Sequence, residues 1–315
     1  MVINNKIPKI VFLDRKTLGD DITLDQFKDL GEVVSYDVTK TKTLERVQNA
    51  DIIVTNKVII DKNIMDNGNI KLICIAATGM NNVDLEYAKQ KGIIVKNVVG
   101  YSTSSVAQLT LSYVLQFVQK INYYDNYVKS GGWQNSDIFT NHDKPFYELD
   151  GKKWGVIGLG SIGEKVADIA STMGCNIQYY STSGKNNNTK YNQVSLEELI
   201  KTSDIVSLHC AMNEKTNNLI NKTNIPSFKN GTILLNLGRG GLVNEQDISD
   251  AINNEQDIFF ATDVATVEPI DADSPLLKIN NKKRILITPH IAWASKEARA
   301  RLLDGIEKNI REFLN

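Results

Sequence analysis

Trp154-Gly155-Val156-Ile157-Gly158-Leu159-Gly160-Ser161-Ile162-Gly163 joins an apolar, strand-like run to glycines spaced G-x-G-x-x-G, and Val166, Ile169 and Ala170 follow at helical spacing. In a strand–turn–helix unit each glycine has its own task. Gly158 permits the tight turn, Gly160 lets a ligand approach the backbone, and Gly163 lets the helix pack closely on the strand. Ser161 and Ile162 open the helix, where backbone N–H groups and the helix dipole receive an anion such as a pyrophosphate. The glycine string alone fits any glycine-rich turn; the flanking strand and helix point to a dinucleotide.

Outward from this loop, short β-branched runs alternate with helical patterns in two series, the signature of parallel sheets crossed over by helices. The first series comprises Ile10 to Leu13, Val33 to Tyr36, Asp51 to Val54, Leu72 to Ala76 and Ile93 to Val95. The second comprises Trp154 to Ile157, Ile177 to Tyr180, Ile205 to His209, Ile233 to Asn236, Phe259 to Thr262 and Ile285 to Thr288. Between them, Val106, Leu109, Tyr113, Val114, Phe117, Val118 and Ile121 predict an amphipathic interdomain helix. A last helical pattern, Ala298, Leu302, Ile306, Ile310 and Phe313, has no sheet of its own, and the economical arrangement packs it back on the first series. The fold class expected is α/β with two Rossmann-like domains. A discontinuous, flavodoxin-like substrate domain covers residues 1–100 and 290–315, and a dinucleotide-binding domain covers 101–289. Two crossings make a hinge, with a substrate cleft expected between the domains.

A chain of 315 residues exceeds what one core usually supports, in agreement with two domains. With 42% apolar and 23% charged residues and a formal net charge of -1, electrostatics give no reason to expect nucleic acid or an anionic membrane as partner. No stretch reaches the roughly 18 apolar residues that span a bilayer, so a cytoplasmic protein is expected. Cys74, Cys175 and Cys210 lie far apart without metal-ligand spacing and read as reduced and mostly buried; no metal site is expected.

The position about 20 residues beyond the first glycine, where an acid would bind the ribose 2′-hydroxyl of NAD, holds Ser181. Ser181, Thr182 and Lys185 offer hydroxyls and a cation, which suit a 2′-phosphate better than they exclude one, so NAD or NADP is expected with a lean toward NADP. Three strand ends then carry polar groups: Leu237-Gly238-Arg239, Asp263 through Glu268, and Pro289-His290. An arginine fork suits a carboxylate bidentately, and a carboxylate beside an imidazole favours the charged ring.

These motifs resemble those of the D-isomer-specific 2-hydroxyacid dehydrogenases, from the glycine loop through Trp293. The resemblance implies that Arg239 clamps the substrate carboxylate and carbonyl, that His290 is the general acid and base, and that Glu268 is its partner. It implies cofactor contacts from Leu237, Gly238, Asp263 (at the nicotinamide carboxamide), His209 and Ala211; Ala211 stands where the family often has proline. It also implies that the backbone at Thr78 and Gly79, after an apolar strand, receives the substrate carboxylate, with Trp293 near the substrate side chain. A capped strand-to-helix turn and interface packing are the plainer readings of these last two. Gly100 through Gln108 and Gly132-Trp133-Gln134 resemble the glycerate dehydrogenase or hydroxypyruvate reductase branch, which implies reduction of a small 2-keto acid such as hydroxypyruvate or glyoxylate.

The family is usually dimeric, so a homodimer through the cofactor domain is expected, with the helix beginning near Val106 as its contact surface. A formate dehydrogenase of the superfamily would place glutamine at Glu268. A catalytically weak, nucleotide-sensing scaffold that recruits protein partners is the competing reading, and a methyltransferase is the outsider; intact Arg239, Glu268 and His290 favour the enzyme.

Overall fold

The computed structural model describes residues 7–186 and 188–315, and the chain divides into two compact units. Unit 1 runs to Ser102 and resumes at Trp293; unit 2 is Thr103–Ala292. The divisions fall two to three residues beyond the expected 100/101 and 289/290 boundaries.

Unit 1 contains strands β1 (Lys9–Phe12), β2 (Glu32–Ser35), β3 (Ile52–Thr55), β4 (Leu72–Ile75) and β5 (Ile94–Lys96), with helices α1 (Thr43–Val47), α2 (Lys62–Asn67) and α3 (Leu85–Gln90) between them. All pair in parallel in the order β2-β1-β3-β4-β5. Strands β3 and β4 are buried at every residue because both faces of the sheet are covered, which is why they read as continuous apolar runs. The C-terminal helix Lys296–Leu314 supplies one cover, setting Ala298, Leu302, Leu303, Ile306 and Ile310 against Ile10, Phe12, Leu72 and Cys74.

Unit 2 begins with α4 (Thr103–Gln119) and α5 (Ile121–Lys129) and continues through β6 (Lys153–Ile157), α6 (Ser161–Thr172), β7 (Asn176–Tyr180), β8 (Asn192–Gln193), α7 (Leu196–Thr202), β9 (Ile205–Leu208), β10 (Thr232–Asn236), α8 (Glu245–Asn253), β11 (Ile258–Thr262) and β12 (Ile285–Ile287). Its parallel sheet has the order β12-β11-β10-β9-β6-β7-β8.

Two expectations need correction. The interdomain helix is not continuous to Ile121: Lys120, at φ 54°, turns the chain between α4 and α5. Nor is the apolar face of α4 free to contact a second copy, since Val106, Leu111, Tyr113, Val114 and Phe117 are buried in the core of unit 2. The stretch that follows α4 does carry exposed apolar side chains, among them Ile121, Trp133, Phe139 and Phe146. All three cysteines are free and buried, and burial pushes the Cys74 thiol up to about 12. Among the described residues no helix is long and apolar enough to cross a membrane.

Candidate functional site

The carboxyl ends of the unit 2 strands gather most of the residues singled out above. Gly158 takes φ 90°, and a Cβ there would lie 2.7 Å from that of Cys210, so only glycine makes this turn. A Cβ on Gly163 would stand 2.2 Å from the Gly158 carbonyl oxygen, which is how closely α6 packs on the loop. Gly160 faces open space, with nothing within 4 Å of its absent Cβ. It is also the N-cap of α6 and supplies no side-chain cap, whereas Ser195 and Asn244 cap α7 and α8 with their own side chains. The first N–H groups of α6 thus remain available to an anion.

A second observation beside this loop concerns His209. Both ring nitrogens are shut off from solvent and lack a hydrogen-bond partner among the described residues. Burial drives the ring's pKa down to about 3, so it is a neutral imidazole. A buried donor and acceptor left unpaired are costly, and a bound cofactor would supply what they lack. Open amides, a cleared backbone and an orphaned imidazole together fit a dinucleotide. Ala211, where the missing proline left the loop shape open, has its carbonyl held by the Thr216 hydroxyl at 2.8 Å.

Ser181 directly follows β7, so no carboxylate stands at that strand end. Its side chain turns inward, and its hydroxyl accepts the Asn186 N–H at 3.4 Å; Thr182 is half-buried and Lys185 exposed. Sequence reasoning missed Asn186, whose side-chain amide donates to the Leu159 carbonyl and ties this loop to the glycine turn.

Leu237 and Gly238 lead from β10 to Arg239, which is exposed; its guanidinium donates to the Gly238 carbonyl at 2.8 Å. The Asn236 side chain grips this turn at the Arg239 carbonyl, 2.8 Å away, and the Gly238 N–H, 3.2 Å away. The turn abuts the loop after β11, because a Cβ on Gly240 would lie 2.1 Å from the Ala265 carbonyl carbon. In that loop the Glu268 carboxylate accepts the Ala265 N–H at 3.2 Å on one oxygen and meets His290 Nδ1 at 2.8 Å with the other. His290 sits at φ 54°, a left-handed conformation uncommon for a residue with a side chain and concentrated at functional sites.

Asp263, almost fully buried, holds the His290 segment in place. Its carboxylate accepts the Ile291 N–H at 2.9 Å, the Ala292 N–H at 2.7 Å and the Thr288 hydroxyl. Burial raises its pKa, and these donors partly offset the rise. The Thr288 hydroxyl in turn meets the Tyr113 hydroxyl from α4, and Ser105 donates to the Ala292 carbonyl at 2.6 Å. Tyr113 carries no motif that reveals this role, and Ser105 lies in the Gly100–Gln108 stretch without being marked out by it.

Within unit 1, the N–H groups of Thr78 and Gly79 donate to no partner among the described residues. The strand-end loop is set by Asn97 donating to the Thr78 carbonyl at 2.6 Å and by the Thr78 hydroxyl donating to that of Val98 at 3.1 Å. Trp293 is half-buried against the unit 1 core and stands edge-on to Tyr101, ring centroids 6.3 Å apart.

Parallel strands, an uncapped glycine turn and an orphaned imidazole fit a dinucleotide-binding protein of the Rossmann type. Residues 111–292 match the family model described as the NAD binding domain of D-isomer specific 2-hydroxyacid dehydrogenases. The chain is 38% identical over 97% of both chains to a hydroxypyruvate reductase of Blautia hydrogenotrophica. It is also 32% identical to a glycerate dehydrogenase of Methylorubrum extorquens, over 97% of this chain and 96% of that one. A D-lactate dehydrogenase from Aquifex aeolicus, solved with NAD and lactic acid, superposes with a TM-score of 0.82 at 25% identity, covering 97% of this chain and 95% of that one. The chain belongs to the D-isomer-specific 2-hydroxyacid dehydrogenase family.

Proposed function

We propose that the protein reduces hydroxypyruvate to the D-2-hydroxy acid, or glyoxylate to its achiral 2-hydroxy acid, with NADPH accepted at least as well as NADH. The observation that carries the reading is the 2.8 Å contact between His290 Nδ1 and Glu268, in the loop adjoining the Arg239 turn. The relatives named hydroxypyruvate reductase and glycerate dehydrogenase support the substrate class.

A nicotinamide held at this site would supply the hydride that the carbonyl carbon of the keto acid needs. Gly158, whose N–H is given to the Tyr180 carbonyl at 3.0 Å, makes the turn, while Gly160, Ser161, Ile162 and Gly163 would hold the pyrophosphate with backbone N–H groups and His209 would pair its ring with the same cofactor. Arg239 binds the substrate carboxylate and stabilises the negative charge that develops on the carbonyl oxygen. With Nδ1 held by Glu268, His290 delivers a proton from Nε2 to that oxygen and takes it back in the reverse direction. The unbonded N–H groups of Thr78 and Gly79 receive the carboxylate, and Trp293 limits the substrate side chain. Lys185, with the hydroxyls of Thr182 and Ser183, meets a 2′-phosphate, and no acid after β7 repels it.

A homodimer through unit 2 completes the reading. Ile121, Trp133, Ile138, Phe139 and Phe146 are exposed apolar side chains within one stretch of unit 2, and they supply the contact surface of this reading. Light scattering at working concentration should give twice the chain mass, and a monomer refutes it.

The deciding assay follows nicotinamide absorbance with hydroxypyruvate, glyoxylate and pyruvate, each with NADH and NADPH, and determines the configuration of the product. Turnover that survives Arg239→Ala and His290→Ala overturns the mechanism, and a strong NADH preference overturns the role of Lys185.

A further inference from the structure

The residues assigned so far in unit 2 lie at the carboxyl ends of its strands. The amino ends carry a separate cavity of about 510 Å³, inside the roughly 300–1,000 Å³ range of small-molecule sites. Its floor is apolar, built from Ile205, Ile233 and Phe259 at the starts of β9, β10 and β11 together with Phe117 and Leu149.

The charges around this floor are unbalanced. Lys120, Lys144 and Lys152 line it with Glu148, Asp204 and Asp257. Two of the acids are engaged: Asp204 pairs with Lys229, and Asp257 with Arg284 at 3.0 Å. Glu148 is exposed; among the described residues none of the three lysines reaches a carboxylate within 4.0 Å, although, against the opposing effect of burial, Lys152 lies near enough to help lower the Asp204 pKa, and Lys144 stands 5.8 Å from the Tyr123 ring centroid. Lys120 stands 5.5 Å from the centroid of the Phe259 ring, at the mouth of the floor.

Lys120 is also the residue that breaks α4 from α5, at φ 54°. That conformation costs a residue with a side chain free energy, and such outliers concentrate at functional sites. It holds a half-buried ammonium beside an aromatic ring, and desolvation lowers its pKa. A half-buried charge without a partner is a cost that a bound anion would remove.

We propose that this cavity binds a small amphipathic anion, an aromatic or aliphatic body bearing one carboxylate or sulfonate. The body lies on the Phe117–Phe259 floor and the anionic group among Lys120, Lys144 and Lys152. The site is independent of the hydride chemistry and of the keto acid reduced.

The test is fluorescence and calorimetric titration of the whole protein with 8-anilinonaphthalene-1-sulfonate, with NADH or NADPH saturating so that the glycine loop is filled. One site per chain is expected. The K120E/K152E variant should weaken binding by about tenfold or more, since a charge-assisted contact is lost and repulsion added. Dinucleotide affinity should remain that of the parent protein. K120Q/K152Q, a milder pair, should weaken binding several-fold and keeps the test valid if charge reversal unfolds the domain. Neutral N-phenyl-1-naphthylamine, the same rings without the sulfonate, should bind more weakly than the anion and ignore both lysine pairs. The proposal is overturned if saturating dinucleotide abolishes binding, if both lysine variants bind as tightly as the parent, or if the neutral probe matches the anion.

Discussion

The first strands of the two sheets occupy the same topological place and end in opposite ways. β1 lies between β2 and β3, and β6 lies between β9 and β7, so each has a crevice at its carboxyl end where the strand order reverses. In unit 1 the donors at that end are taken. Asp14 follows β1, and its carboxylate accepts the N–H groups of Asn56 at 2.9 Å and Lys57 at 2.7 Å and the Thr55 hydroxyl at 3.3 Å. The chain's own anion thus occupies the donors at the switch point. In unit 2 the same place holds Gly158 and Gly160, nothing stands within 4 Å of the absent Gly160 Cβ, and the His209 ring has no hydrogen-bond partner among the described residues. Two sheets of one architecture therefore differ in ligand capacity through the residue that leaves the first strand.

Substitutions at the open end should alter chemistry and cofactor binding, and those at the closed end stability alone. The largest effect is expected at His290. His290→Gln should lower kcat by about 10²–10⁴-fold, the usual range for a positioned proton donor. Thermal melting and dinucleotide titration should match the parent, and retained turnover would falsify the assigned role. Gly163→Val comes next: its Cβ would stand 2.2 Å from the Gly158 carbonyl. Overpacking of this kind should weaken dinucleotide binding by about tenfold to a hundredfold and also lower the melting temperature. Gly160→Ala separates the two effects. Its added methyl meets no protein atom within 4 Å, so the melting temperature should hold while cofactor affinity falls.

Asp14→Ala tests the closed end. It strips the acceptor from two backbone N–H groups, at about 1–3 kcal/mol each, and should lower stability in urea titrations while leaving dinucleotide affinity untouched. The pH dependence has a definite sign. Burial raises the Asp14 pKa in the folded state, so its contribution is full below the ordinary carboxylate range and declines as pH rises through the raised value. The stability gap between parent and variant should be widest in acid and narrow toward neutrality. A gap that widens toward neutrality means that the N–H donors outweigh desolvation at this carboxylate.

The alternation of buried runs and helical patterns made both sheets legible, because strands covered on two faces, such as Ile52–Thr55, must be apolar throughout. β8 was not legible: Asn192 and Gln193 add a short edge beside Gln178 and Tyr179 without an apolar signal. The break at Lys120 was hidden too, since the helical period continues through Ile121 and neither glycine nor proline marks the turn. The pattern on α4 shows that one face is buried but not against what, so a core face and a contact surface look alike in sequence. Arg239, Glu268 and His290 stood out as polar residues at the ends of apolar runs. Tyr113 did not, because an aromatic at a buried helical position looks like packing, and its partner Thr288 lies 175 residues away in the chain.

That hydroxyl gives the smallest and most diagnostic effect. An ionised Asp263 can only accept, so Thr288 must donate to it, and the Thr288 oxygen is left to accept from Tyr113. The chain of donors runs from α4 through Thr288 and Asp263 to the N–H groups of Ile291 and Ala292, the two residues after His290. Tyr113→Phe keeps the ring and removes only the first link, worth about 0.5–1.5 kcal/mol net. If the chain serves packing, that loss appears as a lower melting temperature with unchanged kinetics. If it aims His290, kcat should fall several-fold while the KM for the dinucleotide stays constant. Thr288→Val, which cuts both hydroxyl links, should deepen the fall in kcat, and Thr288→Ser, which keeps the hydroxyl, should restore it. Equal rates in all three variants would leave the left-handed turn at His290 held by Glu268 and the backbone alone.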